Sequence, residues 1–137
     1  MKFIESVVDR SEADLLEYKA LYDKGWENMT PEEQETWLHG MKGALNLSDM
    51  RRVLNNIEFV NRLKKYQLIV PEQDDYILYE SRMTDISMLL MFIYNDAPLL
   101  PYNTIDKWNE IEALLKTTYD DVTKNNVITG IWIISID

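Results

Sequence analysis

The chain has 137 residues, of which 46% are hydrophobic and 28% are charged, and its formal net charge is −10. This balance is typical of one globular domain and argues against intrinsic disorder. Because the sequence has no cysteine and a single histidine, it excludes disulfides, zinc–thiolate and iron–sulfur sites, a thiol nucleophile and multi-histidine metal sites. We therefore expect no cofactor, and a binding or structural role rather than catalysis.

The N-terminal segment predicts an extended arm followed by a helix. Lys2–Val8 alternates loosely and is β-branched towards its end, which indicates a short strand or an extended arm. Asp9 or Ser11 can cap a helix over residues 12–24, whose first turn is acidic. Gly25 is able to adopt the left-handed conformation that ends a helix.

Capping signals also predict the next two helices. Thr30-Pro31, with Glu33 reaching back as a capping box, begins a helix that runs to about Leu38. Ser48-Asp49 caps a longer helix over residues 49–65. The predicted buried face of this longer helix consists of Met50, Val53, Leu54, Ile57 and Val60. Its predicted polar side consists of Arg51, Asn55, Asn56, Glu58 and Arg62.

The second half of the chain is predicted to contain two more helices. Within residues 66–84, Pro71 and the acidic cluster Glu72–Asp75 indicate a loop, and a short strand or turn at Tyr76–Tyr79 stays open. Thr84 begins a helix to about Asn95 that is apolar almost all round, so we expect it to be the central, buried helix. Thr104 caps a last helix, which is predicted to stop at Asn125-Asn126. The predicted buried face of the last helix consists of Ile105, Trp108, Ile111, Leu115, Tyr119 and Val122.

The tail, Val127–Ile136, differs from the rest because it is β-rich, uncharged and apolar on both faces. It can pair with Lys2–Val8 within the monomer, and its free edge can add a strand to a neighbouring subunit. The predicted fold is therefore mainly α. It is one domain over residues 1–137, a bundle of about five helices with short N- and C-terminal β segments able to pair. The partner-binding residues predicted in the tail are Ile131, Trp132, Ile133 and Ile134.

Positive charge is concentrated in the middle of an acidic chain. Between residues 42 and 65 six residues are basic and two are acidic. One interpretation is a solvated helix face that complements acidic neighbours in the same molecule. The alternative is a docking patch for an acidic partner protein, which would include Arg51 and Arg52. The overall negative charge repels nucleic acid, so we expect no nucleic-acid partner.

The sequence also predicts where the chain is found. No secretory signal is visible, because Glu5 interrupts the N-terminal residues before an apolar region forms. The apolar run Met88–Tyr94 is far shorter than the roughly 20 residues that a bilayer requires, so no membrane span is predicted. We expect the protein to be cytoplasmic when it is synthesised.

Candidate catalytic residues are few. Glu35 and His39 share a helix face but have no second histidine near them, so a solvated polar pair is predicted. Carboxylate pairs such as Glu110 and Glu112 are predicted to be caps and solubilising charges, since acid–base catalysis needs two carboxylates in one cleft. Gly40–Gly43 fits the GxxG loop with which KH domains clamp nucleic acid, but a tight helix–helix turn is the favoured interpretation.

Residues 9–53 also carry a series of short motifs in a fixed order. They are Asp9-Arg10-Ser11, Ala13-Asp14, Lys24–Thr30, Trp37-Leu38, Gly40–Asn46 and Ser48–Val53, with looser matches at Pro98–Pro101 and Trp108–Glu112. Together they resemble a helical module of phage and prophage tail or minor structural proteins of Gram-positive bacteria. The resemblance implies a non-enzymatic role in a tail, baseplate or related assembly. It also implies protein partners, a homo-oligomer and a place in the virion or a tail-like particle.

Two other classes of function stay open on the sequence. One is a small acidic adaptor or regulatory protein that binds another protein through its basic helix or its apolar C-terminal strand. The other is an enzyme with a carboxylate site between helices. That site would need a deep polar pocket in which carboxylates of shifted pKa converge.

Overall fold

The computed structural model describes residues 2–71, 79–95 and 104–128. Over these residues the chain forms five helices and no strand, which confirms the mainly α class. The helices are α1 (Glu12–Lys24), α2 (Pro31–His39), α3 (Leu47–Lys64), α4 (Tyr79–Tyr94) and α5 (Ile105–Ile128), with a 3-10 turn at Trp26–Asn28.

Helices α1, α2 and α5 begin where their capping residues predict. Ser11 caps α1 in a reciprocal box with Asp14, and Thr30 caps α2 in the same way with Glu33. The Thr104 hydroxyl accepts a hydrogen bond from a backbone N–H of the first turn of α5 at 3.2 Å. Each cap satisfies backbone donors that the first helical turn leaves without an intrahelical partner.

The start of α3 differs from the prediction. The helix begins at Leu47, and Asn46 is its N-cap. Asp49 is the third helical residue, and its Oδ2 accepts the Asn46 backbone N–H at 2.8 Å. Ser48 and Asp49 therefore lie inside the first turn. Asp49 takes the position that glutamate has in a capping box, and its carboxylate reaches back to the N-cap backbone.

Helices α4 and α5 are both longer than the sequence indicates. α4 starts at Tyr79 instead of Thr84, and the buried Met83 anchors this added turn in the core. α5 continues through the predicted stop at Asn125-Asn126 and ends at Ile128. Asparagine in a helix costs less than about 1 kcal/mol relative to alanine, which is too little to end a long helix.

The predicted N-terminal strand, Lys2–Val8, is an extended arm, and none of the residues that the structure describes forms a strand beside it. The arm lies in the groove between α3 and α5, and its backbone bonds to side chains of those helices. Of the predicted C-terminal strand, Val127 and Ile128 belong to α5, and residues 129–136 lie outside the described residues. Helix side chains therefore satisfy backbone groups of the arm.

The main hydrophobic core lies between α3, α4 and α5. Its buried side chains are Met50, Val53, Leu54, Ile57, Val60, Met83, Ile86, Leu89, Leu90, Trp108, Ile111 and Leu115. All five positions predicted for the buried face of α3 are among them. α3 and α5 run in the same direction, since Arg52 contacts Glu112 and, further along both helices, Phe59 contacts Tyr119.

Helix α4 is buried on one side only, which corrects the prediction of a central helix. Its core-facing residues are Met83, Ile86, Leu89 and Leu90. On the other side, Met88, Met91 and Phe92 are 65%, 45% and 64% exposed. A helix that is apolar all round is fully buried only when neighbours surround it. Here the described neighbours cover one side, so a second apolar face is left at the surface.

A smaller hydrophobic cluster joins α1, α2 and the turn that follows α2. Its buried members are Leu21, Met29 and Met41. Tyr18 stacks on Trp37 with ring centroids 5.5 Å apart. Lys24 of α1 forms an ion pair with Glu33 of α2. We call α1, the 3-10 turn and α2 the N-terminal hairpin.

Gly43 lets the N-terminal hairpin pack closely on the chain that leads into α3. Residues 40–46 join α2 to α3 as a turn, as the helix–helix interpretation of the GxxG motif predicts. A Cβ atom built on Gly43 would overlap the backbone carbonyl of Asp14 in α1. The second glycine of the motif is therefore required by the close approach of two backbones.

We expect the substitution Gly43→Ala to destabilise the fold by about 1–3 kcal/mol, because the added methyl group must displace the backbone of α1. Urea unfolding followed by circular dichroism measures this change in the free energy of unfolding. Ser48→Ala, at an exposed position nearby, is the control and should change stability by less than about 0.5 kcal/mol. A G43A chain as stable as this control would contradict the packing argument.

The Glu33 carboxylate provides a pH-dependent contact within the N-terminal hairpin. Its pKa lies below the ordinary value of 4.5, chiefly because Lys24 and the Thr30 backbone N–H hydrogen-bond the ionised form. A lowered folded pKa means that the contact stabilises above the ordinary pKa and is lost as pH falls through the lowered one.

Carboxyl-carbon NMR titration should therefore show the pKa of Glu33 moving towards 4.5 in a Lys24→Ala variant. Lys19→Ala, at an exposed position on the same helix, should leave it unchanged. If both variants give the same pKa for Glu33, the cause assigned to Lys24 is wrong.

Candidate functional site

Four charged side chains meet in the interior where the arm, α3 and α5 come together. Arg10 donates through Nη2 to Glu112 at 2.8 Å and to Asp49 at 3.0 Å. Arg52 donates to the same two carboxylates, to Glu112 at 2.5 Å and to Asp49 at 2.6 Å. The Glu112 side chain is 0% exposed. Two guanidinium groups and two carboxylates make the cluster neutral, and we call it the buried ion network.

Local structure brings each member of the network to this place. Arg10 directly precedes Ser11, the cap of α1. Asp49 and Arg52 lie three residues apart on α3, so both side chains lie on one face of the helix. Glu112 lies on the buried face of α5, next to Ile111 of the core. The network therefore joins the arm to both long parallel helices.

Every carboxylate oxygen of the network accepts hydrogen bonds from the protein. Glu112 Oε1 accepts from Arg52 and from the Val7 N–H, and its Oε2 accepts from both arginines. Asp49 Oδ1 accepts from both arginines, and its Oδ2 accepts from Asn46. With all four oxygens engaged by donors, these carboxylates fasten segments of the chain together.

The arginine of α3 is held firmly in its charged form. Burial opposes the charge of Arg52, but hydrogen bonds to Glu112 and Asp49 outweigh burial and raise its pKa above the ordinary range. Arg52 therefore depends on its two carboxylate partners to offset the loss of water around its charge.

Asparagine side chains hold the extended backbone against the helices. Asn56 accepts the Ile4 N–H and donates to the Ile4 carbonyl, both at 2.9 Å. Asn109 makes the same pair of bonds to Arg10, and Asn61 makes them to a residue of the segment after α3. Each amide side chain thus bonds to the N–H and the carbonyl of one residue, as a neighbouring strand does in a sheet.

The residues predicted to bind a partner lie in different parts of the chain. Arg52 belongs to the buried ion network, with 12% of its side chain exposed. Arg51 is half-buried on α3. The engagement of Arg52 fits the interpretation in which basic residues complement acidic neighbours in the same molecule. The four tail residues Ile131, Trp132, Ile133 and Ile134 lie outside the described residues, so their role stays a prediction.

An open cleft of about 800 Å³ lies between the N-terminal ends of α1 and α5. The charged side chains that line it are Arg10, Glu12, Lys19 and Asp106. Arg10 is engaged in the buried ion network, and the other three are exposed and of mixed sign. The predicted Glu35–His39 pair lies elsewhere, on the surface of α2, at 3.6 Å and exposed, which confirms a solvated pair.

Comparisons with models of known protein families, with curated proteins and with solved structures gave no match. In the part of the chain that the structure describes, no helix is both long and apolar enough to cross a membrane. Within the same residues, no three histidine, aspartate or glutamate side chains are grouped so that they could hold a metal ion.

The sequence predicts a solubilising charge at Glu112 and a polar-side position for Asn56, and both predictions are wrong because both side chains are buried. Helical spacing carries the signal in each case. Glu112 follows Trp108 by four residues and precedes Leu115 by three, which places it on the apolar face of α5. Asn56 precedes Val60 by four residues on α3 in the same way.

The substitution Glu112→Gln should destabilise the fold by about 3–5 kcal/mol, because it leaves two buried guanidinium groups sharing the single carboxylate of Asp49. The free energy of unfolding is measured by urea denaturation. Glu110→Gln, at an exposed position on the same helix, is the matched control and should have little effect. Equal stability of the two variants would show that the buried ion network does not hold the fold together.

Proposed function

We propose that this chain is a non-enzymatic structural module of a phage or prophage tail, baseplate or related assembly, acting through protein–protein contacts. The observation that carries the proposal is the position of the residues behind the sequence resemblance. Arg10, Gly43, Asp49 and Arg52 all belong to the resembling motifs, and all lie at the joint between the arm, the N-terminal hairpin and α3. Motif residues that fasten segments together support a role that depends on a rigid shape.

Exposed apolar surface supports contact with other proteins. Met88 and Phe92 on α4, and Leu38 on α2, are large apolar side chains that are each more than half exposed. Single exposed apolar residues are ordinary, but neighbouring ones on a helix face are typical of interaction sites. The module therefore has surface to offer to a neighbour in an assembly.

The C-terminal tail is the second contact that we propose. The tail residues Ile131, Trp132, Ile133 and Ile134 follow α5, which Trp108, Ile111 and Leu115 anchor in the core. An uncharged, β-rich segment attached to a fixed helix can add a strand to the sheet of a neighbouring subunit. Homo-oligomers and hetero-assemblies can both form in this way.

Analysis of tail-like particles tests the proposed function. Particles released on infection or prophage induction are purified by density gradient, and their proteins are quantified by mass spectrometry. We expect the chain in a fixed ratio to the other tail proteins. A chain truncated after Ile128 should stay at its normal level in the cell and disappear from the particles, because it lacks the tail contact.

The contrary result is equally specific. A chain that is abundant in the cytoplasm and missing from purified particles would overturn the structural role. That result would favour the small acidic adaptor, and the search for its partner would then begin with the same exposed surfaces.

A further inference from the structure

The N-terminal hairpin is an acidic surface with exposed apolar side chains. Its exposed acids that form no ion pair with any described residue are Glu12, Glu17, Asp23, Glu27 and Glu32. Leu16, Tyr22 and Leu38 of the hairpin are 59%, 64% and 74% exposed. The hairpin therefore combines negative charge with large apolar groups, which is the composition of a docking element for a basic and apolar surface.

A surface of the opposite character lies at the C-terminal end of α3. Lys64 and Lys65 are exposed there and form no ion pair within the described part of the chain. The ring of Tyr66, the next residue, contacts the exposed ring of Phe92 on α4 with centroids 6.1 Å apart. Basic residues and the apolar face of α4 thus adjoin each other.

The apolar part of this surface continues along α4. Ile69, 93% exposed, and Met88 line an open cleft of about 280 Å³ on this side of the molecule. We call Lys64, Lys65, Tyr66, Ile69, Met88 and Phe92 the basic–apolar face. Two acids that the structure describes on this side are paired, since Asp85 bonds to Arg82, and Glu58 bonds to Arg62.

The two surfaces of one copy lie towards opposite ends of α3. The N-terminal hairpin packs at the beginning of α3, through the approach of Gly43 to Asp14. The two lysines lie at the other end of α3, which has 18 residues and is therefore about 27 Å long. The hairpin is also fixed to the core by Arg10 and the buried ion network. A hairpin that docks on the basic–apolar face must therefore belong to another molecule.

We propose that the basic–apolar face of one copy docks the acidic N-terminal hairpin of a second copy. Charge complementarity selects this pairing, because two hairpins repel each other and two basic faces repel each other. The contact joins different surfaces of the two copies, so it repeats head to tail and gives a ring or an open row. This inference rests on the proposed function as an assembly module and names the surfaces that assemble.

Charge exchange tests the docking in sedimentation velocity experiments on the full chain at low and high salt. Lys64→Glu with Lys65→Glu should weaken self-association about tenfold or more, and so should Glu17→Lys with Asp23→Lys. Combining the four substitutions in one chain restores opposite charges across the contact and should restore association. High salt should weaken the self-association of the unmodified chain, because salt screens exposed charges.

The second pair of substitutions separates docking from general repulsion between copies of net charge −10. Glu17→Lys with Asp23→Lys lowers the net negative charge, so general repulsion predicts stronger association, whereas docking predicts weaker association. Lys64→Arg with Lys65→Arg keeps both charges and should leave association unchanged. Circular dichroism of each variant shows that the helices are intact.

Three results would overturn the docking. The first is that the chain is monomeric at every concentration. The second is that the Glu17→Lys, Asp23→Lys variant associates more strongly than the unmodified chain. The third is that Phe92→Ser weakens association while both charge variants associate as the unmodified chain does. The last result would mean that α4 faces pair with each other.

The docking and the proposed function can fail separately. If the charge variants have no effect but truncation after Ile128 removes the chain from particles, the docking is wrong and the proposed function stands. If the charge variants behave as expected but the chain is missing from particles, the docking stands and the tail role is wrong.

Discussion

Glu112 is a carboxylate placed where water does not reach it, and its need for partners constrains the whole arrangement of the chain. A buried ion is tolerated only when opposite charges and hydrogen bonds replace its hydration. The cations come from Arg10 and Arg52, which are 102 and 60 residues away in sequence. Because Arg10 directly precedes α1, the same interaction also fixes where the N-terminal hairpin begins. One carboxylate thereby sets the positions of the arm, the hairpin, α3 and α5.

Extended backbone lies in the groove between α3 and α5. α3 and α5 run in the same direction, and helices joined by short loops are usually antiparallel neighbours. The arm fills the groove between them, and Phe3 at its far end stacks on Tyr119 at 4.5 Å. Extended backbone in such a groove has unpaired N–H and C=O groups. Asn56 and Asn109 satisfy such groups in place of a strand, and Asn61 does the same for the segment after α3.

The stability of the joint bears on the function that we propose. Rigid attachment keeps the acidic hairpin at one end of α3 and the lysines at the other, so the two surfaces cannot neutralise each other within one copy. A module with two different, separated surfaces suits repeated contact along an assembly. The tail residues after α5 would add a second kind of contact to the same body. In this proposal the charges in the interior supply shape, and the charges on the surface supply recognition.

Local signals in the sequence determined the helices and several of their ends. Ser11, Thr30 and Thr104 predicted three helix starts, because a cap bonds to the backbone of its own first turn and needs nothing distant. Helical spacing predicted the buried face of α3, because spacing is also a local property of the sequence.

Tertiary structure decided the rest. The sequence could not show that Lys2–Val8 lies against asparagines instead of a strand, because those partners are more than 50 residues away. The exposed face of α4 and the burial of Glu112 likewise depend on which helices pack side by side. Spacing shows which side chains share a face of a helix, but only the assembled core shows which faces meet another helix and which stay in water.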